Sequence, residues 1–294
     1  DLDGIQAATW MTPVRVGAVF DDGTPGFYDL GRDDRLPSPG ARHATVAGAW
    51  LSAGGARTYV LGNRGDESNP RCEIWAVDVD TIEYVGPTIE VDQCEHETFN
   101  TVSTTPDASR LAFTYVSREH DGWATNIYDG RTGELLGALQ GLTIAVISPD
   151  GTLVGAGTTG EVTQYDLETL EPIGAFPGAR GFVDFLQFST DGRLLLVGSS
   201  NRNLSIYDVT TRSRLGDPIE TGRTVVGGNA GPSLRPDGKT VAVNGREGLA
   251  VWSLEPDRLA EAACRLAGRN LTPTEWDAYL GHLGDYRATC PDNP

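Results

Sequence analysis

The chain lacks the features that mark several common classes of protein. Of its 294 residues only Lys239 is a lysine, and 41 acidic against 23 basic residues give a net charge of −18. Such an acidic chain repels phosphate backbones and anionic membrane surfaces, so we expect no binding of nucleic acid. No stretch approaches the 18 apolar residues of a membrane-spanning helix, and no secretory signal pattern occurs. We therefore expect no membrane insertion by this chain.

Cysteine is scarce and occurs without the spacing of common cysteine motifs. None of the four cysteines, Cys72, Cys94, Cys264 and Cys290, forms a C-x-x-C pair, which excludes the zinc-ribbon and thioredoxin-type patterns. The even number leaves a choice between two disulfides and four buried thiols. The chain begins at Asp1 and contains one methionine, Met11. We interpret it as a piece of a longer protein.

One turn motif recurs along the chain. Ser148-Pro149-Asp150-Gly151 is its clearest copy, and related copies begin at Ser52, Thr105, Ser189 and Arg235. Proline presets the φ angle of such a turn, aspartate hydrogen-bonds to its own backbone, and glycine supplies a positive φ. An apolar run follows each copy. This regular spacing predicts a repeat protein.

An aromatic residue followed by aspartate closes the third strand of most repeats. The pairs are Tyr28-Asp29, Tyr128-Asp129, Tyr165-Asp166 and Tyr207-Asp208. We predict that Trp75 and Trp252 hold the aromatic position in the other two repeats. A short fourth strand follows. Four short strands per repeat are typical of a propeller blade.

The repeat resembles that of the WD-repeat family, which implies an all-β WD-repeat β-propeller. Six blade-like repeats are visible, and a seventh blade before Asp1 or completion of the last blade by the first strand is compatible with them. The propeller domain is predicted over residues 1–254 and helices only after about residue 255. The six repeats cover 5–40, 41–92, 93–140, 141–178, 179–222 and 223–254.

Residues 255–294 are predicted to form a helical C-terminal extension packed on the propeller. An amphipathic helix over 258–267 precedes a capping box, Thr272-Pro273-Thr274-Glu275. The strings 263–272 (ACRLAGRNLT) and 289–291 (TCP), with Trp276 and Tyr279-Leu280, resemble the tail of large actinobacterial signalling proteins. These proteins join a STAND-class NTPase, often with a DNA-binding transcriptional activator domain, to C-terminal WD repeats. The resemblance implies a sensor or scaffold role and supplies no functional residue.

Two insertions indicate a candidate binding face. One lies between the second and third strands of the second repeat, and the other occupies the same place in the third repeat. The loops after the second and fourth strands of a blade open on one face, and insertions confined to one face often mark the binding face. The candidate residues are Arg64, Asp66, Glu67, Arg71, Glu95, His96, Arg118, Glu119, His120 and Trp123.

The sequence gives no catalytic residue, cofactor site or metal site. Residues of the string Cys94-Glu95-His96-Glu97 alternate between strand faces and therefore cannot all converge on one ion. His43 and His96 occupy equivalent places in two repeats, which favours a shared structural role. No G-x-S-x-G motif occurs.

We predict a non-enzymatic propeller that binds a protein or small ligand on its loop face, as the sensor or scaffold part of a larger signalling protein. The alternative is a propeller enzyme, lactonase- or hydrolase-like, with its site in the central channel. The inner-strand segments 100–103, 143–146 and 185–188 are apolar or neutral, which argues against channel chemistry.

The cysteines are predicted to pair locally, Cys72 with Cys94 and Cys264 with Cys290, because only this arrangement keeps both bonds short in sequence. Disulfides persist in oxidising compartments. We therefore expect an extracytoplasmic domain. Many of the actinobacterial proteins that the tail resembles place a membrane span between the NTPase and the propeller, and this resemblance implies that an upstream segment of the parent protein tethers the domain to the membrane. The alternative is a cytoplasmic propeller with four reduced, buried thiols.

Overall fold

A computed structural model describes residues 5–12, 15–20, 25–36, 45–51, 57–63, 71–92, 94–117, 122–179, 181–220, 232–235, 238–245 and 248–290. Within these ranges the side chains of some strand residues, among them 92–100, lie outside the description. The described chain forms six antiparallel sheets in succession, followed by two short α-helices.

The first three sheets each contain four strands. The first has β1 (Ile5–Thr12), β2 (Arg15–Phe20), β3 (Pro25–Asp29) and β4 (Asp34–Leu36). The second has β5 (Thr45–Leu51), β6 (Arg57–Asn63), β7 (Arg71–Asp78) and β8 (Tyr84–Asp92). The third has β9 (Cys94–Thr104), β10 (Arg110–Ser117), β11 (Gly122–Asp129) and β12 (Leu135–Gln140).

The last three sheets differ in their outermost strand. The fourth has β13 (Leu142–Ile147), β14 (Thr152–Gly157), β15 (Val162–Asp166) and β16 (Pro172–Phe176). The fifth has β17 (Val183–Phe188), β18 (Leu194–Ser199) and β19 (Asn203–Asp208), with β20 (Ser213–Arg214) and β21 (Ile219–Glu220) both paired to β19. The described part of the sixth has β22 (Ser233–Leu234), β23 (Thr240–Gly245) and β24 (Gly248–Ser253).

Each sheet pairs its strands in sequence order, apart from β21, which pairs with β19, and all described pairs are antiparallel. The first strands β1, β5, β9, β13 and β17 contact one another in succession, which places them innermost. The fold is therefore all-β and of the WD-repeat β-propeller type, and the predicted repeats coincide with the six sheets. No helix interrupts the described part of residues 10–250, as the sequence predicted.

The interpretation that the first strand completes the last blade is wrong. Strand β1 pairs with β2 as the inner strand of its own sheet. The sixth sheet consequently has three strands in the part of the chain that the structure describes.

The Ser-Pro-Asp-Gly motif forms the turn between the first and second strands. The hydroxyl of Ser189 donates to Asp191 Oδ1 (2.6 Å), and the Gly192 N–H donates to the Ser189 carbonyl (2.8 Å). Gly151 and Gly192 have φ values of 87° and 70°, as the predicted turn requires. Ala108 has a φ of 55° at the equivalent position, so the degenerate copy keeps the same backbone.

The aspartate after the aromatic residue closes the turn between the third and fourth strands. Asp166 Oδ1 accepts from the N–H groups of Glu168 (3.0 Å) and Thr169 (2.8 Å) and from the Thr169 hydroxyl (3.0 Å). Asp29, Asp78, Asp129 and Asp208 each accept from one or two backbone N–H groups of the equivalent turns. The structural role predicted for these pairs follows directly from this geometry.

One assignment within this pattern was wrong. Asp78 pairs across the sheet with Arg57 as Asp129 does with Arg110, so the aromatic position of the second repeat is Val77. Trp75 lies two residues earlier in β7 and is nearly fully buried. Because valine is not aromatic, a pattern based on aromatic residues points to the nearby tryptophan instead. Trp252 does occupy the predicted position, opposite Val241.

The core consists of apolar side chains packed between successive sheets. Leu142, Ile147 and Leu153 of the fourth sheet bury Ala112 and Ile127 of the third. Leu234, Val241 and Val243 of the sixth sheet likewise pack against Leu196, Leu204 and Ile206 of the fifth. Each of the first five sheets is therefore covered by the next one along the chain, and the hydrophobic burial that stabilises the fold lies between sheets rather than within them.

The C-terminal extension forms α1 (Pro256–Ala267), α2 (Pro273–Tyr279) and a 3₁₀ turn (Gly281–Leu283). Both elements of the predicted capping box are present, with Thr272 and Glu275 bonded reciprocally. The Cys264–Cys290 disulfide joins α1 to the end of the described chain, confirming that predicted pair. Leu259 and Leu266 of α1 are exposed. The boundary at 254/255 and the packing of the extension on the propeller remain predictions.

Candidate interaction face

The strands that flank the two insertions end at the same end of neighbouring sheets. The first, 64–70, joins β6 to β7, and the second, 118–121, joins β10 to β11. Arg71, the first residue of β7, pairs with Asp92 at the end of β8, and Ser117 pairs with both Cys94 and Gly122. Second and fourth strands therefore finish at the same end of their sheets, which we call the insertion end.

The described residues include only part of the predicted binding set. Arg71 is half-buried at the start of β7. Trp123, the second residue of β11, is also half-buried, and its carbonyl accepts from the Gly141 N–H (2.8 Å). Glu95 and His96 belong to β9, but their side chains lie outside the described residues, as does all of His43. Arg64, Asp66, Glu67, Arg118, Glu119 and His120 also lie outside them.

Cys72 supports the predicted arrangement of the insertion end. Its side chain is fully buried and disulfide-bonded. Cys264 and Cys290 are bonded to each other. Because the Cys94 side chain is outside the described residues, the pair Cys72–Cys94 remains a prediction.

The inner strands of the fourth and fifth sheets both carry a bulge at the insertion end. Thr143 is skipped in the register between Leu142 and Ile144, and Asp184 between Val183 and Phe185. The Thr143 hydroxyl lies 3.2 Å from the carbonyl of Ala156 and 3.3 Å from that of Val183 in the next sheet. The bulged residue of the fourth sheet thus links its own sheet to the following one.

Asp184 occupies the equivalent bulge in the fifth sheet, but its Oδ1 makes no such link. The residue is 6% exposed, and its Oδ1 has no hydrogen-bond partner. Burial raises the pKa of this carboxyl to about 6 because the charged form loses its hydration. Asp184 directly precedes the apolar or neutral segment 185–188 and was not among the residues predicted from the sequence. Aligning Val183-Asp184-Phe185 with Leu142-Thr143-Ile144 would have found it.

A second acidic group near this end, Glu161, has a lowered pKa. Glu161 accepts from the hydroxyl of Thr159 in the loop between β14 and β15, and this bond lowers the pKa of Glu161. Within the described residues no group of three or more His, Cys, Asp or Glu side chains is placed to hold a metal ion. Among the described residues, Asp184 therefore belongs to no cluster of acidic, histidine or cysteine side chains.

The described helices include none that is long and apolar enough to cross a membrane.

Comparison with known proteins supports the class that the fold defines. No protein-family model matches the chain. A stretch of 112 residues, 37% of the chain, is 29% identical to the Periodic tryptophan protein 2 homolog of Schizosaccharomyces pombe. The same share is 30% identical to Periodic tryptophan protein 2 of Saccharomyces cerevisiae, and 126 residues are 27% identical to the Neurospora crassa homolog.

These relatives are WD-repeat proteins, in agreement with the sheets and turns described above. The chain spans only about an eighth of their length, 12–13% of each. The similarity therefore concerns the repeat. The link to actinobacterial signalling proteins depends on the C-terminal residues alone and remains a prediction.

Proposed function

We propose that this chain is a non-enzymatic interaction module that binds a protein or small ligand at the insertion end of its second and third sheets. The observation that carries the proposal is the position of the two insertions, which join second to third strands in adjacent sheets. Similarity to WD-repeat proteins supports a scaffold rather than a catalytic role. The acidic balance of the chain disfavours nucleic acid as the partner.

Site-directed photo-crosslinking tests this location. A photoreactive residue replaces Trp123 at the insertion end, and a matched control replaces Arg131 in the turn at the opposite end of the same sheet. We expect a specific adduct from position 123 that is lost when Arg118→Glu is added. Adducts from position 131 alone would contradict the proposal.

Charge reversal gives a second, independent readout. Binding of the crosslinked partner should be weakened by Arg71→Glu, Arg118→Glu and Glu119→Arg. The thermal midpoint of each variant should stay near that of the wild type. The matched control is Arg131→Glu, whose ion pair with Asp107 is long (3.6 Å) and exposed, and which should therefore matter little. Equal loss of the interaction in the control would mean that net charge, rather than the insertion end, governs the interaction.

We further propose that the module is the sensor or scaffold part of a larger, membrane-tethered signalling protein and works outside the cytoplasm. The Cys264–Cys290 bond and the bonded state of Cys72 support this location, since disulfides persist in oxidising compartments. Thiol titration of the unfolded, unreduced protein isolated from its own cell should find no reactive thiol. Four titratable thiols would instead favour the cytoplasmic alternative.

One observation bears on the alternative of a propeller enzyme. Asp184 lies on an inner strand, and a carboxyl with a pKa near 6 suits general acid–base chemistry. A lactone or ester hydrolase activity that is lost in Asp184→Asn, at unchanged stability or higher, would favour this alternative. Binding at the insertion end that is unaffected by Asp184→Asn would favour the interaction module.

A further inference from the structure

The outer sides of three successive sheets carry an exposed aliphatic residue at the same place. The seventh residue after the turn-forming aspartate is Leu136 in β12, Ile173 in β16 and Leu215 directly after β20. These residues are 48%, 47% and 49% exposed. Their equivalents in the first two sheets, Leu36 and Val85, are half-buried and pack against the core. Exposure at this register therefore marks the third, fourth and fifth sheets and is not shared by the first two.

Turns of the fourth and fifth sheets join these aliphatic residues into one surface. A methyl group added at Gly137 would lie 2.7 Å from Leu170 Cδ1, so the turn of the fourth sheet lies against β12. A methyl group added at Gly174 would overlap the guanidinium group of Arg212, so the turn of the fifth sheet lies against β16 in the same way. Each of these glycines directly follows an exposed aliphatic residue. The name outer belt is used below for Leu136, Ile173, Leu215 and the intervening turns 166–171 and 208–213.

The fourth sheet, in the middle of the outer belt, is acidic and has no basic residue. Its segment, 141–178, contains neither lysine nor arginine. Thr152 stands opposite the turn aspartate Asp166. In the third sheet Arg110 stands opposite Asp129 and lies 3.5 Å from its carboxylate. Within the described part of the chain, the turn aspartate of the fourth sheet therefore lacks the ion pair that its counterpart in the third sheet has.

Three exposed glutamates extend this negative charge along the outer belt. Glu168 lies in the turn of the fourth sheet, and Glu171 directly precedes β16. Glu134 holds the place of Glu171 before β12 and is exposed as well. Among the described residues, none of the three glutamates forms an ion pair. Their carboxylates are therefore available to a cationic partner.

The arginines beside these glutamates already have partners. Arg131 pairs with an aspartate of its own sheet, and Arg214 lies 3.8 Å from Asp217. Arg212 Nε donates to Gln164 Oε1 (3.0 Å). The outer belt therefore combines exposed aliphatic side chains with a surplus of carboxylates.

We propose that the outer belt docks an amphipathic helix with basic flanks, carried by a separate protein. The apolar face of that helix covers Leu136, Ile173 and Leu215, since spaced aliphatic anchors are what such a helix offers to a surface. Its lysine or arginine side chains meet the three glutamates, because complementary charge steers association and fixes the register, whereas an acidic helix is repelled. The outer belt lies at the turn end of the sheets, so this site is separate from the insertion end.

Binding of a synthetic helix tests the proposal. The probe is a fluorescently labelled peptide of leucine and lysine whose leucines lie on one helical face. It is titrated with the whole chain and followed by anisotropy. We expect saturable binding that weakens as the ionic strength rises. A peptide with glutamate in place of every lysine should not bind.

Two pairs of variants locate the binding site. Glu168→Lys should weaken binding about tenfold, because it replaces an attraction by a repulsion. Glu220→Lys, the same change of charge near the opposite end of the fifth sheet, should leave binding unchanged. Ile173→Ser should also weaken binding, whereas Leu30→Ser, at a comparably exposed leucine (54%) of the first sheet, should not. Unchanged thermal midpoints in all four variants would show that loss of binding is not loss of fold.

Three outcomes would overturn the proposal. The first is the absence of saturable binding of the leucine–lysine peptide. The second is equal weakening by Glu168→Lys and Glu220→Lys, which would mean that the net charge of −18 attracts the peptide without a defined site. The third is self-association of the chain in sedimentation that Ile173→Ser abolishes, which would make a second copy of the chain the occupant.

Discussion

The pKa of an aspartate depends strongly on its position, as a comparison of the turns between third and fourth strands with the inner-strand bulge of the fifth sheet shows. In the turns, Asp78 and its equivalents accept backbone N–H groups, and these bonds lower the pKa of Asp78. At the bulge, Asp184 is buried without a partner for Oδ1, and its pKa is raised. Ionisation therefore stabilises the fold at one end of the sheets and opposes it at the other.

The largest expected effect comes from removing the buried charge. Asp184→Asn keeps the size of the side chain and abolishes the ionised form. A carboxyl raised to a pKa of about 6 from 3.8 makes ionisation cost about 2–3 kcal/mol at neutral pH. We expect the variant to be more stable than the wild type by up to about that amount in urea unfolding at pH 7. Lower stability would mean that the carboxylate is bonded and stabilising.

The stability of the wild type and that of Asp184→Asn should depend differently on pH. The folded-state pKa of Asp184 lies above its unfolded value, so its contribution is fully present below about pH 4 and is lost as the pH rises through about 6. Urea midpoints measured from pH 4 to 7 should show this loss in the wild type and a flatter profile in Asp184→Asn. Parallel profiles would assign the dependence to other groups.

A smaller and opposite effect is expected at the turns. Asp78→Ala removes an acceptor from the N–H groups of Asp80 (3.0 Å) and Thr81 (2.9 Å) and should destabilise the protein by about 1–2 kcal/mol at pH 7. Asp78→Asn retains an acceptor oxygen and should recover most of the loss. Because the folded-state pKa is lowered, this contribution disappears as the pH falls below about 4. A full loss in the asparagine variant would show that charge, not hydrogen bonding, stabilises the turn.

The smallest effect is expected where only the backbone matters. Gly151 has a φ of 87°, and a methyl group added there would meet no atom within 4 Å. Gly151→Ala should cost about 1 kcal/mol, the strain of a left-handed conformation for alanine. Ala108 already adopts this conformation in the third sheet, with a φ of 55°. A loss well above this in urea unfolding would indicate that the turn has contacts beyond its own backbone.

Most of the fold could be predicted because its signals are local. The Ser-Pro-Asp-Gly turn and the aspartate after each third strand depend on residues within about five positions of one another, and their hydrogen bonds are as the sequence indicated. The misplacement at Trp75 arose where this pattern is weakest. The correct residue, Val77, is identified only by its register with Thr58 on the neighbouring strand.

The candidate interaction face was predicted in part. That both insertions lie at one end follows from strand order, and the paired ends of β7, β8, β9 and β10 agree with it. That these residues bind a partner remains a prediction, because a loop insertion by itself does not show what it contacts. Asp184 was overlooked because neighbouring residues of its strand are apolar or neutral, and only the register reveals the bulge.

The repeat, the turn chemistry and the all-β architecture could be predicted from the residues alone, since each depends on the intrinsic geometry of short segments. Which groups are buried depends instead on how the sheets pack against one another. Asp184 and Asp166 are the same residue type, yet one is desolvated between sheets and the other is solvated in a turn. Val251 and Ile206 hold the same place in a strand, but burial depends on the neighbouring sheet, which lies far away in sequence.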